Sequence, residues 1–298
     1  MLAAAESRED PFCVISGDSD NLVNCWCIPS NYTKEVKSEY ILQQEWFLCL
    51  PRGGITRHLK TRENSVILRE DISDMFSRSE FILAPTYKTY LDVLKYIDMA
   101  GIKHRKENDT TPRRPMTSIA SSEGLYHYVF IPCTDAARAL QERYNLQPQT
   151  QEDLSHGISP LDNKPFLVGS DQFPVVECYT HPFSISKLAY KQLRYKCTIL
   201  TGQWFALTGN LKDIWHNKDI KVPQWFIDSP KVDDERLRSV YAIEPTVILR
   251  ETKIPDTDPR KAVADWACNK IDPDAPPPPE LPPSPQVITF YTVNLTLA

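Results

Sequence analysis

The sequence predicts an α+β fold, because short apolar runs typical of strands are interspersed with segments that have a helical period. The strand-like runs end at turn-forming residues, and the helical segments repeat apolar residues at three- and four-residue intervals. The chain has 298 residues, of which 41% are hydrophobic. That length and composition are sufficient to bury a sizeable core.

Strands are predicted wherever an apolar run is short and is followed by a turn or a proline. In the N-terminal part these runs are FCVISG (12–17), LVNCWCIP (22–29), VIL (66–68) and FILAP (81–85). The first two lie at hairpin distance from each other, on either side of the turn cluster GDSDN. Later in the chain, GLYHYVFIP (124–132) and KPFLVG (164–169) predict two more strands.

Helices are predicted where the apolar period continues over a longer segment. These segments are residues 40–50, 70–78, 86–100, 134–146, 182–200 and 258–271. In the second of them, Ile72, Met75 and Phe76 stand at i, i+3 and i+4. The last begins with proline directly after Asp258, the usual order of an N-cap and a first helical position.

The same patterns divide the chain into four parts. We predict a first module at residues 1–100, a basic polar linker at 101–123, a mixed α+β segment at 124–271 and a Pro-rich tail at 272–298. The tail contains PDAPPPPELPPSP, which favours an extended polyproline conformation. We therefore expect residues 272–286 to stay outside the folded core.

Composition and charge argue against several classes of function. The 9 glycines form neither a dinucleotide-binding nor a P-loop pattern. A net charge of −5 disfavours a nucleic-acid partner, and the lack of a long apolar run predicts no membrane partner. The N-terminus resembles no secretory signal, and the 8 cysteines are dispersed, so we expect an intracellular protein, cytoplasmic or nuclear, with reduced thiols.

Four blocks in the N-terminal part carry the most specific signal. They are CVISG (13–17), NCWCIP (24–29), NSVILREDISDMFS (64–77) and FILAP (81–85). In order and spacing these blocks resemble the HNH, or His-Me finger, nuclease-like proteins abundant in fungi. The resemblance implies an HNH-like ββα module, in which two strands and a helix hold one divalent cation against a scissile phosphate. In that family, a first His acts as general base, an Asn orients it, and a last His on the helix helps to hold the metal.

This chain departs from the family pattern at the catalytic positions. Asn64 matches the family's Asn, but Trp26 stands at the first His position and Ser73 at the last. Indole is no base, because its N–H only donates, and a serine hydroxyl is a poor metal ligand. We therefore predict no metal site, no cofactor and no metal-dependent nuclease activity. We also predict that Trp26 packs beside the helix that carries Ser73, in the space of the lost metal.

Two other groups of residues carry an alternative each. Cys178 and His181 suit a nucleophile and its base, or they simply precede a helix that begins at Pro182. Arg57, Lys60 and Arg62 suit contacts with phosphate, or they form a solvated loop face, which the negative net charge favours.

Three functions remain open on the sequence. The first is a pseudoenzyme whose scaffold is reused for binding or regulation. The second is a repurposed enzyme or accessory protein that acts on an apolar small molecule in fungal secondary metabolism. The third is a nuclease with a rearranged site. The sequence identifies no protein partner. Aromatic residues that could line a small-molecule pocket, or form ordinary core, are Tyr126, Tyr128, Trp204, Phe205, Trp215, Trp225 and Phe226.

Overall fold

The computed structural model describes residues 11–99, 119, 124–165, 169–216 and 221–232, and these residues confirm the α+β class. The strands are β1 (Leu22–Trp26), β2 (Ser65–Arg69), β3 (Phe81–Pro85), β4 (Tyr126–Pro132), β5 (Gln147–Pro148) and β6 (Pro174–Cys178). The helices are α1 (Tyr32–Glu35), α2 (Ser38–Phe47), α3 (Ile55–His58), α4 (Glu70–Ser77), α5 (Tyr87–Met99), α6 (Asp135–Arg143), α7 (Pro182–Lys196), α8 (Gly202–Trp215) and α9 (Gln224–Ile227).

The strands form two antiparallel sheets. The first contains β1 and β2, and the second has the order β3-β4-β6-β5. The prediction of a strand at residues 12–17 is wrong, because this segment forms a turn. Gly17 N donates to Cys13 O at 2.8 Å, and Gly17 has a φ of +74°, which a strand does not allow. The partner of β1 is therefore β2, in the register Leu22 to Arg69 through Trp26 to Ser65.

The sequence patterns located most of the longer elements. They did not predict β6 and α8, nor the short elements α1, α3, β5 and α9. The helix expected over residues 182–200 ends at Lys196. Of the predicted strand 164–169, Pro165 forms an isolated bridge with Ile158 and residues 166–168 lie outside the described part. The predicted linker, apart from Ile119, the helix at 258–271 and the Pro-rich tail also lie outside the described residues.

The second sheet is covered on both faces. On one face, Ile82 of β3 and Val129 of β4 belong to a fully buried cluster with Leu193 of α7 and Trp204 of α8. On the other face, aromatic rings connect the sheet to α4. The ring centroids of Phe81 and Phe130 lie 4.8 Å apart, and those of Phe76 and Phe81 lie 5.3 Å apart. Because both faces are covered, every residue of β3 is buried.

Contacts divide the chain into two compact units. The first unit falls within Met1–Pro29, Lys60–Asp92 and Glu123–Ile214, and the second within Ser30–Leu59, Val93–Ser122 and Trp215–Ala298. Both sheets belong to the first unit. β3 precedes residues 101–123 and β4 follows them, yet the two strands pair with each other. The second sheet therefore spans the predicted boundary near residue 100. Within the described ranges, no helix is long and apolar enough to cross a membrane.

Candidate functional site

The β1–β2 pair and the helix that follows it form the candidate site. α4 begins at Glu70, directly after β2, and contacts both strands. Two acidic residues, Glu70 and Asp71, stand in its first turn, where negative charge is favourable. Arg69 at the end of β2 pairs with Asp71 and with Asp18 of the preceding turn, at 2.6 Å each. The order of strand, strand and helix is the one that the sequence pattern predicted.

Asn64 joins the two strands at one end of the β1–β2 pair. Its side chain is fully buried, with Nδ2 donating to Ile28 O at 2.8 Å and Oδ1 accepting from Ile28 N at 3.1 Å. Its backbone oxygen accepts from Cys27 N at 2.9 Å. The side-chain amide therefore acts as an extra backbone rung, because it offers one donor and one acceptor to a single residue. It holds the segment after β1 against the start of β2.

Ser73 lies on α4 and faces Cys25, the residue before Trp26. The Ser73 hydroxyl donates to Glu70 O at 2.8 Å, and a hydrogen bond links the side chains of Ser73 and Cys25. Burial raises the pKa of the Cys25 thiol to about 11, although this bond to Ser73 lowers it. At neutral pH the pair therefore consists of a thiol and a hydroxyl. Neither group is a strong metal ligand in this form.

The prediction that Trp26 fills the space beside α4 is wrong. Successive side chains of a strand point to opposite faces, and Cys25 occupies the face that meets Ser73. Trp26 consequently lies on the other face of β1, opposite Ser65, and is 47% exposed. Cys25 rather than Trp26 is the β1 side chain that meets the helix.

Burial also favours the protonated form of two other thiols near the β1–β2 pair, Cys27 and Cys178. Burial holds the pKa of Cys27 well above its usual range and raises that of Cys178 to about 11. Within the described ranges, no group of three or more His, Cys, Asp or Glu side chains is arranged to hold a metal ion.

Cys178 and His181 stand at a junction between a strand and a helix. Cys178 ends β6, and His181 is the N-cap of α7, with Nδ1 accepting from Phe183 N at 3.2 Å. Pro182 is the first residue of α7, as the sequence predicted. His181 N donates to Glu63 O, and Thr180 Oγ1 donates to Ser65 O at 2.6 Å. These contacts connect the second sheet to the hairpin, which is a structural use for this segment.

The three basic residues do not belong to one compact unit. Arg57 lies in α3 of the second unit, whereas Lys60 and Arg62 lie in the first. Lys60 and Arg62 are exposed, and the Arg62 guanidinium stacks on the Tyr179 ring at 4.3 Å. The aromatic side chains proposed for a pocket are mostly core, since Tyr126, Tyr128, Trp204, Trp215 and Phe226 are buried.

The second unit contains a cleft that the sequence did not reveal. Its volume is about 540 Å³, and its walls come from α1, α2, α3, residues 52–53 and residues 231–232. Glu45 is 3% exposed, and its Oε1 accepts from Gly53 N at 2.8 Å and from Ile55 N at 3.4 Å. Burial raises the pKa of Glu45, and the backbone donors, Lys231 and Arg52 lower it. In the sequence, the one sign of this cleft is Glu45 itself, an acidic residue within the apolar run 40–50.

The second sheet also carries a charged cluster that the sequence did not predict. His127 Nδ1 lies 2.9 Å from Asp153 Oδ1, and His127 Nε2 lies 3.1 Å from Glu177 Oε1. The hydrogen bonds to Asp153 and Glu177 raise the pKa of His127 to about 9, so the ring is an imidazolium at neutral pH. Both nitrogens then donate, and the ring serves as a cross-strand tie rather than as a base.

Comparison of the chain with protein-family models, with curated proteins and with solved structures finds no match.

Proposed function

We propose that this chain is a binding or regulatory protein built on a degenerate HNH-like ββα scaffold, and that it is not a metal-dependent nuclease. One observation carries the proposal. The helix position where the family has a metal-binding His holds Ser73, whose hydroxyl is bonded to Glu70 O and to the protonated Cys25 thiol. Ser73 therefore offers no imidazole to a cation at this position of the helix.

The general base is missing for a separate reason. Water activation near neutral pH needs a group such as imidazole. Trp26, at the corresponding position in the sequence, offers only an indole N–H and lies on the sheet face away from α4. Asn64, the one catalytic position at which the family residue is retained, joins Ile28 to the start of β2 through its side-chain amide.

Plasmid nicking tests the loss of nuclease activity. Supercoiled DNA is incubated with the purified chain and Mg²⁺ or Mn²⁺, beside a Ser73→Ala variant that removes the hydroxyl but keeps the helix. We expect no nicking by either protein beyond a buffer control. Cation-dependent nicking by the wild type that Ser73→Ala abolishes would contradict the proposal. Nicking that is equal in both proteins points to a contaminant and is resolved by repurification.

A second candidate function, small-molecule binding, is favoured by the cleft of about 540 Å³. That volume lies in the usual range for ligand sites, which combine apolar walls with a few polar groups. Ile41 and Leu42 supply apolar wall, Arg52 and Lys231 supply positive charge, and Glu39 and Glu45 supply carboxylates. These features suit a molecule with an apolar body and polar or charged groups better than a purely apolar one.

An aromatic sulfonate dye, anilinonaphthalene sulfonate, is a suitable probe of the cleft. We expect the folded protein to enhance its fluorescence, and Leu42→Trp to abolish the enhancement because the larger ring fills the cleft. Leu91→Trp is the matched control, since Leu91 is exposed on α5 and is not part of the cleft wall. A dye response that is the same in both variants would exclude the cleft as its site.

A further inference from the structure

The turn between α7 and α8 exposes apolar side chains. Tyr195 is 79% exposed, Ile199 83% and Leu200 37%. We call these three residues the α7–α8 tip. Exposure of single apolar residues is ordinary, but three large ones within residues 195–200 mark a contact surface.

The turn that carries this tip is held in place by hydrogen bonds. Thr198 N donates to Thr201 Oγ1 at 2.8 Å, and Thr201 N donates to Thr198 O at 3.2 Å. Thr201 O in turn accepts from Trp204 N, and the Trp204 ring is fully buried in the first unit's core. Ile199 and Leu200 are thus displayed on a fixed turn, with little ordering entropy left to lose when they bind.

The electrostatics around the tip are positive, in contrast to the chain as a whole. Residues 178–212 contain no Asp or Glu, although the complete chain has a net charge of −5. Lys191 and Arg194 are exposed on the last turns of α7, and the Arg194 guanidinium lies 6.0 Å from the Tyr195 ring centroid. Lys196 is anchored beside them, with Nζ donating to Ser79 O.

Two acidic residues belong to segments that contact the tip or its flank. Glu80 follows Ser79, which binds Lys196, and pairs with Arg78 at 2.7 Å. Asp171 is exposed two residues after Gly169, which lies beside Leu200. Lys191 and Arg194 are the exposed cations that the tip offers to an external anionic surface. Exposed apolar side chains with cations beside them match the interface of an anionic membrane, where aliphatic side chains enter the acyl boundary. Tyr lies at headgroup level there, and Lys and Arg reach the phosphates.

We propose that the α7–α8 tip docks this protein on an anionic lipid surface. The contact is interfacial and needs no membrane-spanning helix, so it goes beyond the expectation of no membrane partner, which rested on spanning segments alone. It is independent of the role proposed for the ββα module. One aliphatic pair and one aromatic ring give weak anchoring by themselves, so binding requires both the apolar tip and the basic flank.

Co-sedimentation with vesicles tests this proposal. The probes are phosphatidylcholine vesicles and vesicles of phosphatidylcholine with phosphatidylserine. We expect the full chain to sediment only with the anionic vesicles, and Ile199→Asp to weaken binding by roughly tenfold or more. Ile158→Asp is the matched control, because Ile158 is a 51% exposed isoleucine that does not belong to the tip, and it leaves binding unchanged. Lys191→Gln and Arg194→Gln each weaken binding by about fivefold, since each basic residue contributes about 1 kcal/mol near such a surface.

Four outcomes would overturn the proposal, three with vesicles or the protein alone and one with DNA. The first is no sedimentation with anionic vesicles at low ionic strength. The second is binding that Ile199→Asp and Ile158→Asp reduce equally, which assigns it to general charge. The third is a vesicle-independent dimer in sedimentation velocity that Ile199→Asp dissociates, which assigns the tip to a second copy of the chain. Binding to duplex DNA that needs Lys191 and Arg194 but not Ile199 would assign the basic flank to nucleic acid instead.

Discussion

Asn64 makes the most specific side-chain contribution to the hairpin. We expect Asn64→Ala to lower the free energy of unfolding by about 2–4 kcal/mol, because it leaves both Ile28 N and Ile28 O buried without the amide that satisfies them. Asn24→Ala, on exposed β1, is the matched control and should cost less than about 1 kcal/mol. Urea denaturation of the two variants measures the difference. Equal stabilities would show that the rung at Asn64 is dispensable.

Gly53 is required for two reasons, and the chain allows them to be separated. Its φ is +90°, and a Cβ there would lie 2.9 Å from Val232 O. Gly17 has a similar φ of +74° but nothing within 4 Å of a Cβ. We expect Gly17→Ala to cost about 1 kcal/mol of backbone strain, and Gly53→Ala to cost at least 1–2 kcal/mol more, since the close approach to the backbone at residue 232 adds about that much strain. Thermal unfolding of both variants tests this, and equal shifts would remove the steric contribution.

The sequence pointed to Asn64 and Ser73 as site positions. It predicted the wrong β1 residue, Trp26 instead of Cys25, for the contact with α4. Alternation along β1 shows that Cys25 and Trp26 face opposite ways, yet it does not show which of them meets α4. That depends on the register with β2, which pairs Trp26 with Ser65. The register is a long-range property, since positions 27–64 separate the two strands. The alignment of family blocks alone could not supply it.

Among the elements, the pairing of β4 with β6 brings the charged cluster together. His127 stands opposite Glu177 in the register, and Asp153 reaches the ring from the loop after β5. A strand was predicted at β4 but not at β6, because PVVEC is short and contains a proline and a glutamate. Without β6, Glu177 has no defined position, so no sequence pattern could have placed it beside His127.

This cluster predicts a pH dependence of stability. The folded pKa of His127 is raised from 6.5 to about 9, so its contribution is complete below 6.5 and is lost as the pH rises through about 9. Because the ring is 34% exposed, solvent screening reduces the expected loss to about 1 kcal/mol. Unfolding free energies of the wild type and His127→Gln should therefore converge at alkaline pH. A constant difference across that range would contradict the raised pKa.

At the scale of the whole molecule, charge is the basis of our prediction that nucleic acid is not the main partner. The chain has a net charge of −5, and Arg57, Lys60 and Arg62 are divided between the two compact units. We expect duplex DNA to bind no more tightly than the roughly micromolar non-specific range. Replacing the three by alanine should change that affinity no more than the matched control Arg138→Ala/Arg143→Ala/Lys164→Ala, in which three exposed cations are removed. Salt-sensitive, submicromolar binding lost only in the first triple variant would reverse this conclusion.

The arrangement of the first unit also fixes an order of events during synthesis. β1 leaves the ribosome well before β2, and the residues between them belong to the second unit. β3 similarly has no strand to pair with until β4 has been made. β4 pairs on its other edge only after β6 has been made. The nascent chain therefore carries unpaired strands for much of the time before residues 174–178 are made, a state that is slow to fold and open to aggregation. Chaperone dependence should accordingly be greatest for chains arrested between β3 and β6, and should fall once residues 174–178 have emerged.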